Sequence, residues 1–439
     1  MLNILSLLKF NSISDYFENR KNRFTAYCII SSFFFCLAIG LVSLKDKFDF
    51  VVSDGRGYYV YLPSFIIDGD LDFENQIIAS WGTDLKPSVL EKRTKTGLID
   101  NKYPIGMSLT LAPSFLISHF LSSILYFLTD SKMFLPNGYS ILYQLLNLLT
   151  ILSLGTIAFY LIDLLLTRHL KLHPLSVFGA IIICWFCSHF SYYYFREPFM
   201  IHIISTFWVT LGIYLSKIFE QKSSKSLFIF LSTACSMAVV CRPTNIIVLM
   251  PFLVPIFFCT GRYNLIKMIP FGMMGLFPLF AQMVVWKVMH GSMLHYSYGN
   301  EGFNWLSPKL FSTIFSSKHG LLFWSPILGF SLYQLALNTI TKTAQLRKTS
   351  LTCLVSFISL WYLNSCWHQW WFGDAFGGRA FLELTFIFVL GMSSFIQWYM
   401  EKKFKRRYFL TAVFASFSLN YFLMALYIGH KIPRADYLF

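Results

Sequence analysis

Long apolar runs separated by short polar gaps set the pattern of this chain. Runs able to span a bilayer fall at 24–44, 138–166, 174–194, 198–216, 226–241, 244–260, 268–289, 320–338, 350–366, 380–400 and 408–428. About 20 apolar residues carry a helix across the hydrocarbon core, so each run predicts a transmembrane helix. A further run, 107–128, is ambiguous, and the basic residues decide it. With Arg20, Lys21 and Arg23 in the cytoplasm, loop 45–106 is outside. If 107–128 crossed, the later basic loops would all lie outside. These carry Arg168 and Lys171; Lys217, Lys222 and Lys225; Arg262 and Lys267; Lys342, Arg347 and Lys348; and the stretch from Lys402 to Arg407. That arrangement breaks the positive-inside rule throughout. The pattern therefore predicts about eleven crossings and one element that lies in the interface, with Pro104 and Pro113 bending it near its start.

The expected fold class is an all-α polytopic membrane protein, one domain over 1–439. A first outer loop with juxtamembrane helices covers 45–137, and a second outer loop covers 290–319. Residues 1–19 suit an amphipathic surface helix. The run 24–44 is long for a signal peptide and lacks a small-residue cleavage site.

Composition sharpens the picture. Hydrophobic residues make up 56% and charged residues 13%, against about 25% charged in soluble domains. The net charge of +15 sits in the gaps between apolar runs, so it reads as an orientation signal and not as a nucleic-acid footprint. The nine cysteines lie in or at the ends of apolar runs. Cys184 and Cys187 form a CxxC, but inside IIICWFCS, where a redox or zinc site would lack its polar setting. They read as small core residues.

Three features on the outer side bear on chemistry. Asp54 follows the first run at once, in SDGRGYYVYLP, with Arg56 and Tyr58 beside it. Downstream, DGDLDFE (68–74) lacks a full calcium-loop pattern and reads as a solvated turn. Arg196 and Glu197 stand at a junction between two runs, where an ionisable group is a functional hypothesis by default. Taken alone they could be a structural ion pair. Cations also sit on the unexpected side near run ends: Arg56, Lys102, Arg196, Arg242, Lys318 and Arg379. Any one of them is explained by snorkelling; together they suggest binding of a lipid phosphate. Among the histidines, most suit a structural role, and His202 and His319 stand closest to these groups in sequence. Asp54 and Glu197 suit a base and its partner, or the two carboxylates of a divalent metal site such as Mg or Mn. The phenylalanines and tyrosines, 48 and 24 in number, suit lipid contact and core packing, with some free to line a groove for a polyprenyl chain.

Six stretches carry a resemblance: SDGRGYYVYLP (53–63), NKYPIGMSLTLAP (101–113), YYYFREPFMIH (192–202), CRPTN (241–245), KHGLLFWSP (318–326) and WWFGDAFGGR (370–379). In this arrangement the chain resembles the membrane glycosyltransferases of the GT-C fold, which include the protein O-mannosyltransferase and aminoarabinose transferase families. The resemblance implies transfer of a sugar from a polyprenyl-phosphate donor to a glycan, lipid or protein acceptor, in a bacterial plasma membrane with the site facing outward. It implies that Asp54 is the catalytic carboxylate and Glu197 the second acidic position, and that 101–128 forms juxtamembrane helices. Asp54 is followed by Gly55 where many relatives carry an acidic pair, and KYPIG stands where relatives carry an HPPL-like motif. The implied reaction is inverting: the acceptor attacks the anomeric carbon as phosphate leaves. Arg56, Tyr58, Lys102, Arg196, His202, Arg242, Lys318, His319 and Arg379 would bind substrate or phosphate. Two other readings compete: a flippase or transporter for lipid-linked oligosaccharide, and a cell-surface glycan polymerase or ligase. Transporters tend to show internal repeats and midplane charges. Here the charges gather at one surface and no repeat is visible.

Overall fold

The computed structural model describes residues 16–43, 49–81, 90–259, 262–299, 301–341, 343–402 and 405–438. Most of the expected 1–19 surface helix, and part of loop 45–106, lie outside the described residues. Within them the chain is helical, and the only pairings of strand type are the bridges Arg93–Ile99 and Phe303–Trp367.

The helices are α1 (Arg20–Ser43), α2 (Asp54–Tyr59), α3 (Glu74–Trp81), α4 (Gly106–Thr129), α5 (Ile141–Leu164), α6 (Pro174–Phe186), α7 (Phe190–Phe195), α8 (His202–Gln221), α9 (Lys225–Cys241), α10 (Asn245–Cys259), α11 (Arg262–Met274) and α12 (Phe277–His290). After them come α13 (Leu310–Phe315), α14 (Leu321–Trp324), α15 (Leu328–Thr341), α16 (Ala344–Cys366), α17 (Thr385–Glu401) and α18 (Arg406–Ile428), with a 3-10 stretch at Arg379–Leu384 leading into α17. Among the described residues six helical segments are long and apolar enough to cross a membrane, and the bent pair Ile266–Met274 and Phe277–His290 would make a seventh. Large apolar side chains such as Phe33, Phe277, Phe414 and Phe422 stay exposed on these helices, as lipid contact requires. This is a multi-pass helical membrane protein.

Several expected runs are interrupted, each for a local reason. The run 174–194 breaks between Phe186 and Phe190. The run 320–338 breaks at Ser325–Pro326, since proline disfavours helix in the residue before it. The run 268–289 bends by 54° around Gly275, where a Cβ would lie 2.5 Å from that of Ser232 on α9.

Polar contacts at both ends fix the relation between α1 and α5. Arg23 meets Asp163 in a two-point ion pair, Nε–Oδ2 2.7 Å and Nη2–Oδ1 2.9 Å, and the Tyr27 hydroxyl donates to the same carboxylate at 2.9 Å. At the other end the Phe50 amide donates to Gln144 Oε1 at 2.7 Å. The helices are therefore antiparallel, and α5 starts on the side where α1 ends. Helix α4 continues through Pro113 as one 24-residue helix, in place of the expected bend. It starts with Gly106 packed on the backbone of Cys241 at the end of α9. Its Ser114 hydroxyl donates to Asn147 at 2.6 Å, and further along His119 pairs with Tyr143 at 2.6 Å. As α4 advances, its partners on α5 move back toward the start of α5.

Candidate functional site

The site begins at a strained residue. Ser53 has φ 53° and ψ −139°, a conformation that non-glycine residues hold only where the surroundings enforce it. It hands the chain into α2, whose first residue is Asp54. The two glycines that follow let other segments approach. A Cβ on Gly55 would lie 2.8 Å from the Phe199 carbonyl oxygen, and a Cβ on Gly57 would overlap the Tyr103 ring. Gly57 thus admits Tyr103, whose hydroxyl donates to Asp54 Oδ1 at 2.8 Å. Arg379 Nη2 lies 3.1 Å from the other oxygen, Oδ2. The Arg379 guanidinium is itself held, donating to the Phe372 carbonyl at 2.7 Å, and Phe372 has φ 59°. Three elements distant in sequence therefore converge on Asp54, and the backbone is strained at two of them.

The Asp54 side chain keeps 32% of its exposure while Arg379 keeps 13%, so the carboxylate is gripped from within and open outward. Burial alone would raise the Asp54 pKa. The charge of Arg379 and the Tyr103 hydrogen bond, helped by Lys102, outweigh burial and hold the carboxyl below its ordinary range. Asp54 is an anion at neutral pH.

Glu197 stands in the opposite condition. The Tyr192 hydroxyl donates to it at 2.8 Å, and Arg379 and Arg196 act on it through their charge. Burial nevertheless prevails and raises its pKa above the usual glutamate range. Arg379 acts on both carboxylates, and their environments push them apart, a pattern that goes with divided acid and base roles.

Around this pair the expected cations sort themselves. Arg242 Nη1 reaches Glu383 Oε2 at 2.8 Å, and His202 Nδ1 reaches Oε1 at 3.0 Å. Glu383, with a side chain 1% exposed, joins two expected site residues from below. Lys102 pairs with Glu301 at 2.8 Å and lies 5.4 Å from the Tyr298 ring. Tyr58 packs on Tyr103, ring centroids 4.6 Å apart. Arg56 runs to the Val51 carbonyl at 3.2 Å and to Asp49 at 3.8 Å. Lys318 sits 3.9 Å above the Trp371 ring and 3.7 Å from Asp436.

His319 is buried beside the C-terminal segment. Burial lowers its pKa to about 4, so it is neutral, and its Nε2 donates to the Arg434 carbonyl at 2.8 Å. It tethers the C-terminal segment, which also makes the Arg434–Asp374 ion pair at 3.2 Å. Asp374 accepts in addition from the Tyr427 hydroxyl.

Among the described residues no group of three or more His, Cys, Asp or Glu side chains could hold a metal ion, and Asp54 and Glu197 are engaged by Arg379, Tyr103 and Tyr192. The DGDLDFE stretch is a hydrogen-bonded turn. Ser64 donates to Asp70 at 2.9 Å, Asn75 and Gln76 donate to Asp68, and Arg93 pairs with Glu74 at 2.6 Å.

Tyr103, Glu383, Glu301, Tyr192, Asp374 and Arg434 belong to the site or its support and escape a reading by charge alone. For Glu383 there is a usable signal, an acid four residues after Arg379 inside an apolar run. Compared with protein-family models, curated proteins and solved structures, the chain matches none of them.

Proposed function

We propose that the chain is an integral membrane glycosyltransferase. It would move a sugar from a polyprenyl-phosphate donor to an acceptor hydroxyl or amine at the Asp54 face, with inversion. The observation that carries this reading is the Asp54 carboxylate, one-third exposed and clamped by Arg379 and Tyr103 at the end of the membrane-spanning helices.

The proposed topology has about eleven crossings. Loop 49–140 leaves and re-enters on one side, because Phe50 and Gln144 meet while Arg23 and Asp163 meet at the far end. Helix α4 then lies along the Asp54 face, with Phe120, Ile124 and Phe127 exposed to lipid. The basic ends of the helices fall on the opposite side, which supports an outward-facing site.

In the proposed reaction the acceptor oxygen or nitrogen forms the new bond to the anomeric carbon. The bond from that carbon to the phosphate oxygen breaks, and the electron pair leaves with the phosphate. Asp54 orients the acceptor and takes its proton as the bond forms. Arg379, Arg242 and Lys102 offer positive charge for the leaving phosphate. Glu197, kept less acidic by burial, holds the acceptor side of the site.

The test uses purified protein in lipid nanodiscs with a panel of polyprenyl-phosphate sugars. Release of polyprenyl phosphate is followed for wild type and for Asp54→Asn. Loss of release in a folded variant that still binds donor supports the reading. Release unchanged by the substitution removes Asp54 as the base, and no release from any donor by wild type counts against the transferase.

A further inference from the structure

Away from Asp54, α15 and α17 border an open apolar groove of about 570 Å³. Gly329, Phe330, Tyr333, Phe395, Trp398 and Tyr399 line it. Phe330 stacks on Phe395 with centroids 4.9 Å apart, and Phe395 packs against Trp398 at 5.6 Å and Tyr399 at 5.9 Å.

The groove's lower end is marked. Helix α17 ends on the side opposite Asp54, where the Gln397 side chain meets the His173 amide before α6. There the Tyr399 hydroxyl donates to the Lys405 carbonyl at 2.9 Å, and the Lys402 amide donates to the Trp398 carbonyl at 3.1 Å. The segment carrying Lys402, Lys405, Arg406 and Arg407 therefore begins where the groove ends, and these residues are exposed. The acid of that stretch, Glu401, accepts from Gln397 at 3.2 Å. Tryptophan and tyrosine at such a level mark the interface between hydrocarbon and headgroups.

We propose that this groove is a binding site for an anionic phospholipid of the leaflet opposite Asp54. One acyl chain lies along the aromatic wall, and the phosphate of its headgroup lies on Lys402, Lys405, Arg406 and Arg407. Basic residues beside a membrane surface attract any anionic lipid weakly; the groove adds a fixed seat for a chain and so makes the attraction a site. The inference is independent of the transferase reading.

Full-length protein in mild detergent, titrated with phosphatidylglycerol or phosphatidylcholine of equal chain length and read by native mass spectrometry, tests it. Wild type retains phosphatidylglycerol in preference. The variant Lys402→Gln/Lys405→Gln/Arg406→Gln/Arg407→Gln loses that preference, by about fivefold for each charge removed, and still retains lipid. Gly329→Phe fills the groove and lowers retention of both lipids. It has room to fold, since a Cβ there meets nothing nearer than Leu322 at 3.9 Å. Equal retention of both lipids by wild type overturns the proposal, as does a preference untouched by the four-charge variant or a retention untouched by Gly329→Phe. Competition by glycerophosphoglycerol, the headgroup without chains, at lipid concentrations also overturns it and points to a soluble phosphate ester.

Discussion

The Tyr103 hydroxyl reaches the Asp54 carboxylate at 2.8 Å because position 57 has no side chain to block its ring. After the charge of Arg379, this hydrogen bond is the next largest influence keeping the proposed base ionised. Burial pushes Asp54 up, and Arg379, Tyr103 and Lys102 push it down further. Removing Tyr103 therefore raises the Asp54 pKa. Activity that needs the carboxylate then fails at a higher pH as the medium is acidified. Tyr103→Phe is expected to move the acidic limb of the rate profile upward and to lower the neutral-pH rate about 10- to 100-fold, the worth of a hydrogen bond to a charged group being about 1.5–3 kcal/mol. Gly57→Ala is expected to move the limb in the same direction by displacing the ring. A profile unmoved by either variant would separate Tyr103 from the chemistry.

Glu383 gives a prediction about stability. It is buried between Arg242 and His202. Taking one partner from a buried charge pair leaves the other uncompensated, at a loss of about 3–5 kcal/mol. Glu383→Gln is expected to lower the unfolding free energy in detergent by an amount of that size. Arg242→Gln/Glu383→Gln is expected to recover part of it, because no lone charge remains. A double variant as unstable as the sum of the two singles would show that the pair does not act as a unit.

The places where sequence and structure agree, and where they part, follow from what an apolar run can encode. Hydropathy locates long apolar helices because desolvating a backbone demands them, so α1, α5, α8 and α18, each long and apolar enough to cross a membrane, lie within a few residues of expected runs. Hydropathy is blind to breaks that come from side-chain packing, such as the one at Cys187–His189, where Ser325 takes up the His189 amide and ring at 3.0 and 2.9 Å. Charge out of place exposes Asp54, Arg379 and Arg242. It does not say which of them pair, since Asp54 and Arg379 are joined only by tertiary packing. Tyr103 carries no charge, and its role is visible only beside Gly57. Asp54 and Glu197 share one face in the sequence reading, and the structure gives each of them protein partners that no charge pattern names.

Arg23 and Asp163 supply a second energetic test, on the side opposite Asp54. Their side chains are 3% and 0% exposed, and Arg23 also donates to the Phe17 and Glu18 carbonyls at 2.7 and 2.9 Å. The pair locks the start of α1 to the end of α5. A double-mutant cycle with Arg23→Gln and Asp163→Asn, read by unfolding in detergent, is expected to give a coupling of about 0.5–3 kcal/mol. A coupling indistinguishable from zero would mean that each residue is held by its other partners.

The path of the chain after α4 gives the most direct test of the topology. If α4 lies along the Asp54 face, the link from Asp130 to Ser140 is on that face and the turn at Arg168–Lys171 is on the other. Helix α5, 24 residues long, separates them by about 36 Å at 1.5 Å per residue. Single cysteines at Ser131 and Asn137, placed in a variant whose native cysteines are replaced by serine or alanine, are expected to react in intact cells with a membrane-impermeant maleimide. A cysteine at Lys171 is expected to react only after permeabilisation. Were α4 to cross, α5 would have to start on the far side, and the contact of Phe50 with Gln144 at 2.7 Å could not coexist with that of Arg23 with Asp163. Labelling of Ser131 and Lys171 from the same side would therefore break both the placement of α4 and the antiparallel packing of α1 on α5.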